Sequence, residues 1–279
     1  MISIMGVEYG RGCLAVASDS ACARAPAAVK KMFPGGDWTT VIADPFNPGE
    51  CARDRFGENF KIQKKIYAAT PFDRHIMIGG DHSVNFGHFA ALADRMDDEE
   101  LCLIYIDAHL DIHTPETARA QASGAPHGTN VRALLGEGDE RWLSLVRRHP
   151  ALRPQNVFYL GVRSWEDAEI QFVQKNNIFM RTAAQLRTKR DLQSAVNAVR
   201  MAIDARPYVI SFDFDAIDPK YFKDVLVPAA GGITPDAAEF LLREFVHDAH
   251  SFEFVEYAPS GDKQSEDIVR NLVSIAVND

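Results

Sequence analysis

Leu101-Cys102-Leu103-Ile104-Tyr105-Ile106 runs directly into Asp107-Ala108-His109-Leu110-Asp111. Six apolar residues without polar alternation read as a strand buried on both faces of a parallel sheet. The strand stops where ionisable side chains begin, at every second position. Working outward, similar short runs occupy residues 2–7, 39–43, 75–78, 157–162, 178–181, 208–214 and 252–257. Segments with helical spacing lie between them. Residues 84–96 place Phe86, Phe89, Ala90 and Ala93 on one stripe, and 191–205 place Leu192, Ala195, Ala198 and Val199 likewise. A helix over 235–246 opens after Thr234, an N-cap residue followed by Pro235 at the first helical position. Strand and helix alternating from end to end imply an α/β fold with a mostly parallel sheet.

No repeat, low-complexity tract or Pro/Gly linker divides the 279 residues, so a single domain over 1–279 is expected. The acidic run 96–100 reads as a solvated helix end, and Arg147 with the arginine after it as an exposed face. Hydrophobic residues make up 46% and charged residues 25%, values of an ordinary globular protein rather than a disordered or fibrous one. Thirty Lys and Arg against 39 Asp and Glu give a net charge of −9, a poor basis for phosphate-backbone binding, so no nucleic-acid partner is expected. The same balance suits a small cationic substrate. Cys13, Cys22, Cys51 and Cys102 have neither CxxC nor zinc-finger spacing and read as reduced thiols. With no basic leader and no apolar run of membrane-spanning length, a cytoplasmic protein without membrane partners is expected.

Four motifs follow four of the predicted strands: Gly79-Gly80-Asp81-His82-Ser83; Asp107-Ala108-His109-Leu110-Asp111; Asp213-Phe214-Asp215-Ala216-Ile217-Asp218; and Glu256. In open α/β sheets ligands bind beyond the carboxyl ends of the strands, so the four are expected to share one crevice. An extended chain would turn 107, 109 and 111 to one side, and 213 and 215 likewise. So many buried carboxylates repel one another unless cations neutralise them. The mixed oxygen and nitrogen set suits two divalent ions better than one tetrahedral zinc, and Mn better than a thiolate-selected metal. An EF-hand at 107–113 fails for want of the turn glycine and the closing glutamate.

Together these motifs, in their order and approximate spacing, resemble the ureohydrolases: arginase, agmatinase, guanidinobutyrase and formimidoylglutamase. The resemblance spans nearly the whole chain and lies nearest to arginase-like members. It implies a three-layer α/β/α domain with an eight-stranded parallel sheet, two Mn²⁺ per chain and a homotrimer or homohexamer. Carried over by position, His82, Asp107, Asp111 and Asp213 hold one ion, and His109, Asp107, Asp213 and Asp215 the other. Glu256 pairs with the cationic guanidinium, and His127 shuttles protons. Asp111, besides ligating, passes a proton to the leaving amine. The implied reaction is hydrolysis of a guanidino compound to urea and an amine, with a metal-acidified water attacking the trigonal carbon.

Arginine or an arginine-like compound is the leading substrate, because Asp111-Ile112-His113-Thr114-Pro115 keeps the Ile-x-Thr-Pro frame of arginases. His113 stands where arginases have an Asn that binds the substrate carboxylate. Ser123 is retained, Ala125 replaces a second Asn, and Glu166 takes the place of the acid that meets the α-amino group. Val225-Leu226-Val227-Pro228 replaces Thr-Gly-Thr-Pro. These departures bear on which compound is split. Agmatinase, guanidino-acid hydrolase or formimidoylglutamase activity is the alternative, and a metal-binding homologue without turnover a further one.

Overall fold

The computed structural model describes residues 2–13, 19–96, 100–119, 122–147 and 149–279. Eight strands form one sheet: β1 (Ser3–Glu8), β2 (Asp37–Ile42), β3 (His75–Ile78), β4 (Cys102–Ile106), β5 (Val157–Val162), β6 (Phe179–Thr182), β7 (Tyr208–Asp213) and β8 (Ser251–Val255). Their order is β2-β1-β3-β8-β7-β4-β5-β6 and every pairing is parallel. Each predicted strand is present within a residue or two of its expected bounds. The run ending at 214 stops at Asp213, where the chain tightens into a 3₁₀ turn over Phe214–Ala216.

Both faces of the sheet are covered, which makes three layers. Alternate residues of β4 serve opposite cores. Cys102, Ile104 and Ile106 pack with helices Lys189–Ile203, Pro235–Phe245 and Lys263–Val277 on one face. Leu103 and Tyr105 pack with Phe86, Phe89 and Trp142 on the other. This is why the strand sequences show no polar alternation. Thr234 caps its helix as expected, its Oγ1 accepting the Ala237 N–H at 3.1 Å. In helix Lys189–Ile203 the buried stripe is Leu192, Ala195, Val196, Val199 and Ile203, so Val196 takes the place expected for Ala198. Helix Asn85–Arg95 is buried on more than the expected stripe, including His88 and Leu92, because it is wedged between the sheet and helix Arg55–Ala69. Of the acidic run 96–100, residues 97–99 lie outside the described residues, as does position 148. Glu100 is not simply solvated: it pairs with Arg153 at 2.6 Å and Arg206 at 3.8 Å. All four cysteines are buried and none forms a disulfide among the described residues. Among the described residues no helix is long and apolar enough to cross a membrane.

The four motif-bearing strands, β3, β8, β7 and β4, are neighbours at the centre of the sheet. Their carboxyl ends therefore open onto one crevice.

Candidate active site

Three motifs use the same local device. Asp81 Oδ1 accepts the Ser83 N–H at 3.0 Å, Asp107 Oδ1 the His109 N–H at 2.6 Å, and Asp213 Oδ1 the Asp215 N–H at 2.7 Å. Each aspartate thus folds its own backbone two residues on into an Asx turn. The expectation of extended chain at 107–111 and 213–215 is corrected accordingly. The side chains converge because the backbone turns after each strand, with Asp111 reaching the left-handed region at φ 48°. For Asp107 and Asp213 one carboxylate oxygen is spent on the backbone and the other is left for the crevice.

There the predicted metal residues come together. His82 Nδ1 lies 3.0 Å from Asp107 Oδ2, 3.0 Å from Asp213 Oδ2 and 3.5 Å from Asp111 Oδ2. His109 Nδ1 lies 2.9 Å from Asp215 Oδ2 and 3.5 Å from Asp107 Oδ1. His82, Asp107 and Asp111 form one group able to hold a cation, and Asp107, His109 and Asp215 a second, so Asp107 belongs to both. Asp213 joins the first through His82.

The donor set fits divalent cations. It consists of carboxylate oxygens and imidazole nitrogens with no thiolate, and Asp107 Oδ2 is fully buried without a hydrogen-bond partner. The electrostatics agree. Burial pushes Asp111 up to about 7, helped by Asp107, and raises Asp213 as well, helped by Asp215. Burial alone would raise Asp107 too, but its contacts with His109 and His82 outweigh it and hold the carboxyl below the usual range. His82 and His109 are held above the ordinary imidazole value despite burial, because they face these carboxylates. Protons thus hold the cluster together where cations would serve equally.

Glu256 closes the crevice from β8. Its backbone N–H donates to Gly80 O at 2.8 Å and its φ is 63°. Gly80 is required there, since a Cβ would fall 1.5 Å from Tyr9 O. Glu256 Oε1 accepts the His82 N–H at 2.9 Å and Oε2 the Cys22 thiol at 3.3 Å. Burial and the nearby Asp81 push this carboxyl up to about 8. His127 lines the same pocket. Its Nδ1 donates to Gly12 O at 3.0 Å, and burial lowers the ring to about 4, so Nε2 carries the lone pair.

His82, His109, Asp111, Asp213, Asp215, Glu256 and His127 line one pocket of about 230 Å³, together with His113, Ser123, Glu166 and Glu169. Every predicted site residue except Asp107 lines it, and Asp107 lies beneath. The outer residues differ from expectation in their partners. His113 is buried, with Nδ1 3.0 Å from Thr117 Oγ1. Its Nε2 faces Glu169 Oε2 at 3.4 Å and Glu166 Oε2 at 3.7 Å. It therefore faces the protein's own acids. Glu166 caps helix Asp167–Lys175 and accepts the Arg119 N–H at 2.7 Å.

A profile of the arginase family matches residues 19–278. This chain belongs to the arginase family. It is a hydrolase of amidine carbon–nitrogen bonds. Arginase from Bacillus subtilis strain 168 is 30% identical over 213 residues, 75% of this chain and 70% of that protein. Arginase from Entamoeba histolytica is 28% identical over 210 residues, 72% of this chain and 69% of that one. Matched segments of several Staphylococcus aureus arginases reach 66% of their length. Among solved structures, a Bacillus subtilis arginase superposes with a TM-score of 0.83 at 22% identity, covering 100% of this chain and 99% of that one. The Entamoeba histolytica arginase in complex with L-ornithine gives 0.85 at 22% identity over 100% and 98%. A Bacillus subtilis formimidoylglutamase gives 0.76 at 17% identity over 100% and 87%.

Sequence reasoning missed four neighbours of this arginase-family site. Tyr105 and Ser211 lie one strand period before Asp107 and Asp213, and that spacing of two is the signal that finds them. Tyr105 stacks on His82, with ring centroids 4.5 Å apart and an interplanar angle of 5°, while Ser211 Oγ sits 2.9 Å from His82 Nε2. Glu169 is the third residue of the helix capped by Glu166, and its carboxylate accepts the Glu166 N–H at 2.8 Å. A glutamate at the third helical position, reaching back to the N-cap N–H, is one half of the capping box. Asn130 donates to His127 O at 2.6 Å, a contact no sequence pattern announces.

Proposed function

We propose that this chain hydrolyses a guanidino compound, arginine or an arginine-like molecule, to urea and an amine. It would do so with two Mn²⁺ per chain, one held by His82, Asp107, Asp111 and Asp213, the other by His109, Asp107, Asp213 and Asp215. The observation that carries this reading is Asp107 shared between two oxygen and nitrogen clusters in the crevice that Glu256 also enters. When bound, the ions supply the positive charge that makes a water nucleophilic near neutral pH.

The chain's own residues do the rest. Glu256 offers two carboxylate oxygens in one plane, the complement of a guanidinium's paired N–H groups, and fixes the cation's orientation. Asp111, held by Tyr105 Oη at 2.8 Å, is placed to accept a proton from the attacking water and pass it to the departing amine. His127, its tautomer fixed by Gly12 O, offers Nε2 as a proton acceptor in the same pocket. Ser123, Glu166 and His113 line the outer wall, where the rest of the substrate lies. The L-ornithine held by the Entamoeba histolytica arginase, an aliphatic amine, supports an amine product here.

A single domain over 1–279, a cytoplasmic location and a homotrimer or homohexamer belong to the same reading. Limited proteolysis, fractionation and light scattering test them in turn. The deciding experiment is urea release by manganese-loaded protein across arginine, agmatine, guanidinobutyrate, guanidinopropionate and guanidine, with ammonia or formamide read for formimidoylglutamate. Urea from at least one guanidino compound with about two Mn per chain is expected. Silence on every compound, alkylguanidines included, at full metal occupancy would leave the metal-binding homologue without turnover.

A further inference from the structure

Six large apolar side chains are exposed among the described residues, and two of them, Trp165 at 41% and Val227 at 45%, line the pocket. A third, Leu226 at 37%, adjoins Val227 in the chain. Exposed apolar surface concentrated at a cavity marks a place where a ligand removes it from water.

The acids of the same wall are already engaged by the protein's own backbone N–H groups. Glu166 Oε2 accepts the Arg119 N–H, Glu169 Oε2 the Glu166 N–H, and Glu169 Oε1 the Ile112 N–H at 3.4 Å. His113 has Thr117 on one ring nitrogen and two carboxylates before the other. A substrate carboxylate arriving here would meet acids. Beyond these acids and the Ser123 and Ser164 side chains, what the outer wall offers a ligand is burial of Trp165 and Val227.

Resting on the reading that Glu256 holds a guanidinium, but departing from arginine itself as the compound held, we infer that the substrate is a monosubstituted guanidine with an apolar, alkyl or aralkyl tail lying against Trp165 and Val227, and no carboxylate at its far end. The reaction balances without a further reactant. Water oxygen bonds to the guanidinium carbon, the bond from that carbon to the tail nitrogen breaks, and urea and the protonated alkylamine leave.

The test is a series of straight-chain alkylguanidines from methyl to hexyl, with agmatine and arginine for comparison. It has two readouts on manganese-loaded protein: urea release, and equilibrium binding by calorimetry. Both kcat/KM and affinity are expected to rise about threefold to fourfold per methylene that reaches the rim, from the transfer free energy of a buried methylene. Hexylguanidine should exceed agmatine and arginine, and W165A and V227T should each reduce the hexyl-to-methyl ratio. A flat series, or arginine or agmatine outperforming hexylguanidine, overturns the apolar tail. Affinity that climbs with chain length while no urea appears keeps the tail site and removes the hydrolytic reading instead.

Discussion

Tyr105 Oη donates to Asp111 Oδ2 across 2.8 Å while its ring lies flat against His82. One buried strand residue thus orients two of the groups able to hold the first cation. Partners of this kind fix ligand rotamers, and losing them typically costs about 10–100-fold in metal affinity or activity. Y105F keeps the stack and removes the donor. Manganese affinity of the metal-free variant, followed by titration calorimetry, should fall by roughly tenfold or more, with kcat reduced alongside. Unchanged affinity and turnover would mean that Asp111 is positioned by its backbone alone.

Asp107 belongs to both cation groups, so D107A should remove both together. Metal analysis after manganese loading is expected to find well under one ion per chain, with urea release abolished. A variant that kept one full ion and measurable turnover would show that the two groups do not depend on a shared carboxylate.

E256Q is nearly isosteric and removes the charge facing a guanidinium. Loss of one partner of a buried ion pair costs about 2–5 kcal/mol, so kcat/KM should fall by at least about thirtyfold. A small change confined to KM would count against Glu256 as the group that orients the cation.

Gly12 ties the N-terminal strap to the site, its N–H donating to Asp81 Oδ2 at 2.7 Å and its carbonyl accepting from His127. A Cβ there would lie 2.3 Å from Asp81 Oδ1 and 2.4 Å from Ser83 Oγ. G12A must shift the strap, with an overpacking cost of about 1–3 kcal/mol. A lower melting temperature together with a lower kcat is expected. Wild-type turnover would show that His127 does not need this carbonyl.

Metal-free protein should lose stability as pH rises from 7 to 9. Glu256, raised to about 8 by burial, keeps a proton that the unfolded chain has given up, and His82 and His109 are held above the ordinary imidazole value. For such groups the native state binds more protons than the unfolded state, so their contribution is complete below the unfolded values and lost as pH climbs through the folded ones. His127 and His75, both depressed by burial, pull the other way only below the ordinary imidazole value near 6.5, outside this window. Scanning calorimetry should show melting several degrees lower at pH 9 than at pH 7 without metal. The slope should shrink with manganese bound, because cations then replace the protons. A flat profile for the metal-free protein would contradict the burial of these groups.

The sequence by itself determined the strands, the parallel α/β architecture and nearly every residue of the crevice. Doubly buried strands such as 101–106 have to be apolar throughout, and ionisable residues clustered just past four of them have no packing reason to be there. It did not determine that β3, β8, β7 and β4 stand side by side, since strand order follows from how crossovers pack and not from any local pattern. Nor did it determine how the side chains converge: the alternation at 107–111 suggested extended chain, whereas Asx turns and the left-handed Asp111 produce the approach. The partners of His113 and Glu166 were likewise decided only in three dimensions. A side chain's hydrogen bonds go to whatever group the fold brings within about 3 Å, and for these two that group is the protein's own backbone and acids.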